Sequence, residues 1–197
     1  MCDATIDYYN VHASDFCADT VQVNMSRLYA PFLEALSSSK ARILDCGCGA
    51  GRDTRFFLEQ GYVVDAIDAS EALCKRASIY TGITVQQRYF QELEAINLYD
   101  GIWACASLLH VSAAKLPMVL EKLRDALKPD GVLYMSFKLG DFEGMRKGRY
   151  FTDWTEPSFR AVLAQVPDLA VCKFWKTEDV RVNRSHEKWL NVLVVRQ

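Results

Sequence analysis

The sequence predicts one α/β domain, in which a mostly parallel sheet carries helices on both faces. From Ala41 onward, short apolar strand-like runs alternate with segments of helical spacing, which is typical of this architecture. A glycine-rich turn joins the first predicted strand to the first helix after it. The length of 197 residues and a hydrophobic content of 50% suit a single core. We therefore expect no second domain.

The first half of this pattern predicts four strands and two helices. Gly61 suits the end of the first helix, and Ser70 is a good N-cap for the second. Periodicity and β-branched content place the strands at residues 42–45, 62–68, 83–89 and 99–106, and the helices at 52–60 and 70–78.

The second half predicts another helix from residue 116, with Pro117 in its first turn. The sequence Lys-Pro-Asp-Gly at 128–131 is expected to end it. A strand at 132–137 and a helix at 156–165 follow, and the β-rich runs at 170–175 and 189–195 are interpreted as a terminal antiparallel pair.

Composition excludes several classes of protein. The formal net charge is -2, from 23 basic and 25 acidic residues, so no overall field attracts nucleic acid or an anionic membrane. The chain shows neither a leader pattern nor an apolar run of membrane-spanning length, which predicts a cytoplasmic protein without membrane contact. Seven cysteines without a Cys-x-x-Cys pair indicate reduced thiols.

The most informative segment is Asp-Cys-Gly-Cys-Gly-Ala-Gly-Arg at residues 45–52. Small residues between a buried strand and a helix let a ligand approach the backbone. Asp68 ends the second predicted strand, 23 residues after Asp45. That spacing is close to the offset of about 20 residues at which a carboxylate meets ribose hydroxyls. The glycine spacing differs from the G-x-G-x-x-G of dinucleotide sites.

These residues resemble the first motif of class I S-adenosylmethionine-dependent methyltransferases, especially small bacterial tellurite-resistance-type and ubiquinone-methyltransferase-like proteins. The resemblance implies a Rossmann-like, mostly parallel seven-stranded sheet with an antiparallel C-terminal strand. It also implies an N-terminal helical lid, residues 1–40, over a cofactor-binding core, residues 41–197. Monomer and homodimer both stay open.

The resemblance implies S-adenosylmethionine as cofactor. Asp45 would engage its ammonium group and Asp68 its ribose, although a loop carboxylate and a helix cap are the alternative interpretations of these two residues. No metal is expected, because Cys46 and Cys48 lack partners at zinc-site spacing. The predicted cofactor contacts are Tyr9, Asp45, Cys46, Gly47, Cys48, Gly49, Arg52, Asp68, Ala69, Ser70, Phe90, Gln91, Glu92, Ala106, Ser107 and Leu108.

Candidate catalytic and acceptor-binding residues are fewer. His110 follows the fourth strand and has the ordinary pKa of about 6.5 that suits a general base, or it makes a local hydrogen bond at a helix start. Tyr9 is interpreted as a lid contact, with a simple amphipathic helix as the alternative. Arg149, Tyr150 and Arg181 are predicted to bind the acceptor, because arginine clamps carboxylate or phosphate, although surface arginines are often only solvated.

The predicted reaction is metal-independent methyl transfer to a small-molecule nucleophile: a carboxylate, thiol, hydroxyl or metalloid oxyanion. Residues 138–197 carry 11 basic and 8 acidic side chains, which indicates an anionic acceptor. Two alternatives are a tRNA wobble-uridine-type carboxylate methyltransferase, disfavoured by the low overall charge, and a non-catalytic cofactor-binding protein.

Overall fold

A computed structural model describes residues 3–181, 184 and 186–197, so that Cys2 lies outside the described residues. The helices are α1 (Asp3–Val11), α2 (Ala13–Thr20), α3 (Ser26–Ala35), α4 (Arg52–Glu59), α5 (Glu71–Thr81), α6 (Leu116–Ala126) and α7 (Glu156–Leu163). The strands are β1 (Arg42–Cys46), β2 (Val63–Asp68), β3 (Gln86–Gln87), β4 (Tyr99–Ala104), β5 (Leu127–Lys138), β6 (Glu143–Arg146), β7 (Arg149–Thr152), β8 (Leu169–Glu178) and β9 (Lys188–Arg196).

Seven of the strands form one sheet in the order β3-β2-β1-β4-β5-β9-β8. Strand β9 runs antiparallel to both β5 and β8, and the other pairings are parallel. Strand β1 lies centrally, and its Ile43 and Leu44 are fully buried because helices cover both faces. The predicted fold class, including the antiparallel strand near the C-terminus, is confirmed.

The helices on the two faces enclose separate parts of the core. Helix α3 places Phe32 against Trp103 and Phe57, with ring centroids 5.2 and 5.7 Å away. On the other face, buried leucines of α6 pack with Phe137 and Phe159 in the larger hydrophobic cluster. Helix α5 begins as predicted, since Ser70 Oγ accepts a hydrogen bond from Leu73 N at 3.2 Å.

Two strand predictions need correction. The third strand shrinks to Gln86–Gln87, because it is an exposed edge strand whose polar side chains bury nothing. The fourth strand ends at Ala104, before the predicted residue 106, where Ala106 adopts a φ of 52°.

Two loop predictions also need correction. Residues 128–131 do not separate α6 from β5, because the strand already starts at Leu127. Leu127 pairs with Tyr99 of β4, and the register between β4 and β5 then shifts before the regular pairing resumes. The β6–β7 hairpin was not predicted at all. The hairpin follows β5 in the chain and forms one wall of the candidate site.

Three helices, α1 to α3, precede the sheet. Helix α1 packs against both α5 and β7, and thus reaches across the carboxyl edge of the parallel strands. None of the helices in the described ranges has the length and apolar character needed to cross a membrane.

Candidate active site

The turn after β1 is a backbone cradle with glycine at alternate positions. Gly47 has a φ of 81°, and a Cβ there would lie 2.4 Å from Ser107 Cβ. At Gly49, φ is 56° and a Cβ would lie 3.0 Å from the Phe16 ring. Gly47 is therefore required on conformational and steric grounds, and Gly49 is favoured by its φ and by a tight contact. At these two positions the peptide groups are open to a ligand.

Asp68 stands at the end of β2 beside this turn. Its Oδ2 accepts a hydrogen bond from Gly49 N and its Oδ1 accepts one from Ser70 N, both at 2.9 Å. Burial raises the pKa of Asp68, and these backbone donors partly oppose the rise. A carboxylate oxygen has capacity for two hydrogen bonds, so each Asp68 oxygen can still accept a hydroxyl. The helix-cap and ligand-binding interpretations of Asp68 are thus compatible.

Asp45 is 2% exposed and lies below the turn. Its Oδ2 accepts a hydrogen bond from Thr54 Oγ1 at 2.6 Å. Burial, together with the charge of Asp53, raises the pKa of Asp45. No cationic side chain of the described residues forms an ion pair with Asp45. A cation brought by a ligand would stabilise the ionised form.

A buried ion pair anchors the start of α4. Arg52 Nε lies 2.6 Å from Asp53 Oδ1, and the same carboxylate accepts hydrogen bonds from Tyr29 Oη at 2.5 Å and Trp103 Nε1 at 2.8 Å. Burial works against the charge of Asp53, but Arg52 and these donors together lower its pKa. Sequence reasoning missed Asp53. The available signal was an Asp in the first turn of a helix, directly after the glycine motif.

A cavity of about 550 Å³ opens beside the cradle. Its walls come from α1 and α2, the glycine turn, the ends of β4 and β5, the β6–β7 hairpin and the ends of β8 and β9. Representative lining residues from these walls are Tyr9, Phe16, Gly49, Arg52, Ala106, His110, Lys138, Arg149, Phe151, Asp179 and Arg181.

A chain of hydrogen bonds crosses this cavity. Arg149 Nη1 donates to Tyr9 Oη at 3.3 Å, Tyr9 Oη lies 2.9 Å from His110 Nε2, and His110 Nδ1 lies 2.5 Å from the Tyr150 carbonyl oxygen. Since a carbonyl only accepts, Nδ1 carries the imidazole proton. Nε2 then accepts the Tyr9 hydroxyl proton. Burial lowers the pKa of His110 to about 4, so the ring is neutral at neutral pH.

Most cationic side chains that line the cavity have a carboxylate partner. The pairs are Arg52 with Asp53 (2.6 Å), Lys138 with Asp179 (3.2 Å) and Glu187, Arg146 with Asp153 (2.6 Å), Arg181 with Asp179 (2.6 Å), Arg184 with Glu187 (4.0 Å), and Lys188 with Glu178 (2.5 Å). Arg149 and Lys147 also line the cavity, and neither forms an ion pair within the described residues.

The structure combines a glycine cradle after β1, Asp68 at the end of β2 and a cavity at the carboxyl edge of the sheet. Comparison with known protein families agrees with these features. A family model described as a methyltransferase domain matches residues 20–180. The chain belongs to this methyltransferase family. The predicted family is thereby confirmed.

Individual relatives share about a third of their residues with this chain over the matched segment. One is a ubiquinone biosynthesis O-methyltransferase of Rickettsia prowazekii, 34% identical over 103 residues, which cover 50% of this chain and 40% of the relative. The match thus spans well under half of that relative's length.

Solved structures share the fold over nearly the whole methyltransferase domain. A magnesium protoporphyrin IX methyltransferase from Synechocystis PCC 6803, with bound S-adenosylhomocysteine, is 18% identical with a TM-score of 0.75, and all of each chain is covered. A 1,6-didemethyltoxoflavin N1-methyltransferase from Burkholderia thailandensis is 23% identical with a TM-score of 0.72 over 98% of this chain and 90% of the other.

In the structure, the predicted site residues fall into three groups. Those that line the cavity are Tyr9, Gly47, Cys48, Gly49, Arg52, Ala106, His110, Arg149 and Arg181. Those that border the cradle outside the cavity lining are Asp45, Asp68, Ala69, Ser70, Phe90 and Ser107. Cys46 and Leu108 are fully buried in the core, and Gln91 and Glu92 are exposed on a 3₁₀ turn.

The predicted acceptor-binding residue Tyr150 lies apart from Arg149 and Arg181, which line the cavity. Its hydroxyl donates to Glu143 Oε1 at 2.6 Å on the outside of the hairpin, and its side chain does not line the cavity. The residue serves the site through its backbone, because its carbonyl oxygen holds His110.

Proposed function

We propose that this chain transfers the methyl group of S-adenosylmethionine to a small-molecule nucleophile bound in the 550 Å³ cavity. The observation that carries the proposal is Asp68, held by two backbone amides beside a glycine cradle in which a Cβ at Gly47 would clash with Ser107. Membership of a methyltransferase family supports it. The O- and N-methyltransferases named above support a nucleophilic oxygen or nitrogen in the acceptor more than any other atom.

The chemistry of the residues fits this cofactor. The Asp68 oxygens have free acceptor capacity for the two ribose hydroxyls. Asp45 forms no ion pair with a cationic side chain in the described part of the chain, so the ammonium group of the methionine part would compensate its buried charge directly or through water. Gly47 and Gly49 let the ligand lie against the backbone. Phe90, Ala106 and Ser107 border the same edge.

When bound, the cofactor supplies a methyl group activated by a sulfonium. The chain aligns the acceptor opposite the leaving sulfur, and such positioning is worth about 7 to 11 kcal/mol without a metal ion. An acceptor that carries a proton gives it to the Tyr9 oxygen while the Tyr9 proton passes to His110 Nε2, which the Tyr150 carbonyl keeps free to accept it. His110 and Tyr9 are thus the candidate catalytic pair.

Calorimetric titration of S-adenosylmethionine and S-adenosylhomocysteine tests the proposal. We expect both to bind the wild type, and Asp68→Ala to weaken binding by about 10- to 100-fold, since hydrogen bonds to a charged group are worth about 1.5–3 kcal/mol. Asp65→Ala is the matched control, because Asp65 lies on the same strand but pairs with Arg42 at the surface. Failure of the wild type to bind either compound would contradict the proposal. Equal affinities in all three proteins would remove Asp68 from the site.

A further inference from the structure

The guanidinium of Arg149 lies in an aromatic cage at the wall of the cavity. Its Cζ is 4.6 Å from the Tyr8 ring centroid, 5.6 Å from that of Tyr9 and 5.2 Å from that of Phe151. These rings come from α1 and β7, so the guanidinium fills the seam between the N-terminal helix and the hairpin. Cation–π contact holds its plane in place without consuming its hydrogen-bond donors.

The hydrogen bonds of Arg149 leave most of its donors unused. Among the described residues, only the bond from Nη1 to Tyr9 Oη is formed, and Nε is buried without a partner. A guanidinium carries five N–H donors. Its geometry matches two oxygens of one carboxylate or phosphate. Arg149 therefore has more hydrogen-bond donors than the described residues around it satisfy.

The charge of Arg149 is also uncompensated. Six other cationic side chains of the cavity have carboxylate partners, as described above, whereas Arg149 has none within the described part of the chain. Lys147 lacks a partner too, but it is exposed to solvent, which screens its charge. Arg149 is half-buried among aromatic rings, where a lone cation is costly. An anionic ligand would remove that cost.

We propose that Arg149 binds an oxyanion, such as a carboxylate, of the methyl acceptor. This inference rests on the proposed function and narrows it to acidic acceptors. The anion binds beside Tyr9 Oη, which places the rest of the acceptor between His110 and the cradle. Arg149 is thus a specificity-determining residue, and the acidic group it holds need not be the group that is methylated.

Binding has a second consequence at His110. After burial, the charge of Arg149 is one of the causes that lower the pKa of this imidazole. Among the described residues, the groups that face the ring are Tyr9 from α1, and Arg149, the Tyr150 carbonyl and Phe151 from β7. An anion on Arg149 offsets the positive charge of that guanidinium. We therefore expect the pKa of His110 to rise when the anion binds.

The test compares two probes of similar shape, benzoate and benzyl alcohol, by calorimetry on protein saturated with S-adenosylhomocysteine. We expect the wild type to bind benzoate at least tenfold more tightly than benzyl alcohol. Arg149→Gln keeps a donor for Tyr9 but removes the charge, and it should lose this preference. Arg160→Gln, at an arginine that contacts Phe174 and Glu156 and does not line the cavity, should keep it. Circular dichroism checks that each variant is folded.

An independent readout is the His110 imidazole signal in NMR titrations with benzoate, identified by its loss in His110→Asn. We expect its pKa to rise with benzoate in the wild type and to stay constant in Arg149→Gln. No preference for benzoate over benzyl alcohol, or an equal preference in Arg149→Gln, would overturn the inference. If S-adenosylhomocysteine fails to bind, the proposed function fails, and the two probes still test the anion site on the free protein.

Discussion

At the residue scale, His110 illustrates how burial determines a side chain's chemistry. The imidazole is 4% exposed and both of its nitrogens are hydrogen-bonded, one to a hydroxyl and one to a carbonyl. Its position after the fourth strand could be predicted from the sequence, but its neutrality could not. That property depends on Tyr9 and Tyr150, which lie 101 and 40 residues away in the chain.

The lowered pKa of His110 predicts how stability depends on pH. Between about pH 6.5, the ordinary pKa, and about pH 4, the folded-state value, the unfolded chain binds a proton that the folded protein does not. Stability is therefore lost as pH falls through this window. At about pH 5 the loss due to His110 is about 2 kcal/mol relative to neutral pH.

Urea unfolding of the wild type and His110→Asn at neutral pH and at about pH 5 measures this effect. The asparagine amide can still donate to the Tyr150 carbonyl, so the variant isolates the titration. Asp45, whose raised pKa acts in the opposite direction, is present in both proteins and cancels in the comparison. His186→Asn, at an exposed position, is the control. A pH dependence unchanged in His110→Asn would contradict a neutral, buried imidazole.

At the element scale, the β6–β7 hairpin shows what the sequence pattern could not reveal. Its turn is Lys147-Gly148, with φ values of 51° and 78°, as in the two-residue turns that join twisted strands. Asn or Asp usually occupies the first position of such turns. Because Lys147 occupies it here, the sequence lacks the Asn-Gly or Asp-Gly pair that predicts a hairpin. The strands are also only four residues long. By contrast, β1 and β2 were predictable because each is a mostly apolar run followed by a helix.

Besides the bond from Arg149 to Tyr9, a second side-chain hydrogen bond joins the hairpin to α1, and it can be removed by one substitution. Tyr150 N donates to Thr5 Oγ1 at 2.9 Å, and Thr5 is fully buried. Thr5→Val keeps the shape of the side chain and removes the acceptor. We expect a loss of about 1 kcal/mol in the free energy of unfolding, with faster amide exchange in β7.

Hydrogen exchange followed by mass spectrometry distinguishes a local from a general effect. In Thr20→Val, the hydroxyl lost is bonded to Phe16 O within helix α2, so that no contact between elements is broken. This control should leave exchange in β7 at the wild-type rate. Equal exchange in β7 for Thr5→Val and the wild type would show that the Thr5 hydrogen bond does not stabilise the hairpin.

At the scale of the whole molecule, the site depends on contacts between distant parts of the chain. The glycine turn could be predicted because it forms one local sequence motif. Asp68 could be predicted because it lies at a characteristic distance along the sequence from that motif. The pairs Arg149–Tyr9 and Tyr150–Thr5 span 140 and 145 residues. A single sequence lists such residues as candidates but does not say which of them meet. The cofactor side was therefore more predictable than the acceptor side.

Helix α1 joins these two sides. At one end Thr5 bonds to β7, and at the other Asn10 Oδ1 accepts hydrogen bonds from Ser70 Oγ at 2.7 Å and Ala72 N at 3.3 Å, next to Asp68. If α1 closes over a bound cofactor, its release requires breaking the Asn10 contacts. Asn10→Ala should then raise the dissociation rate of S-adenosylhomocysteine about fivefold, which corresponds to about 1 kcal/mol.

Stopped-flow displacement of S-adenosylhomocysteine tests this closure. Asn24→Ala is the matched control, since Asn24 Oδ1 accepts a hydrogen bond only from the nearby Ser26 N, at the start of α3, within the described residues. Its dissociation rate should equal that of the wild type. A rise confined to Asn10→Ala, with the melting temperature preserved, would identify α1 as the lid, because a general loss of stability would affect Asn24→Ala as well. Equal rates in all three proteins would mean that the cofactor leaves without moving α1, and that residues 1–40 shape only the acceptor cavity.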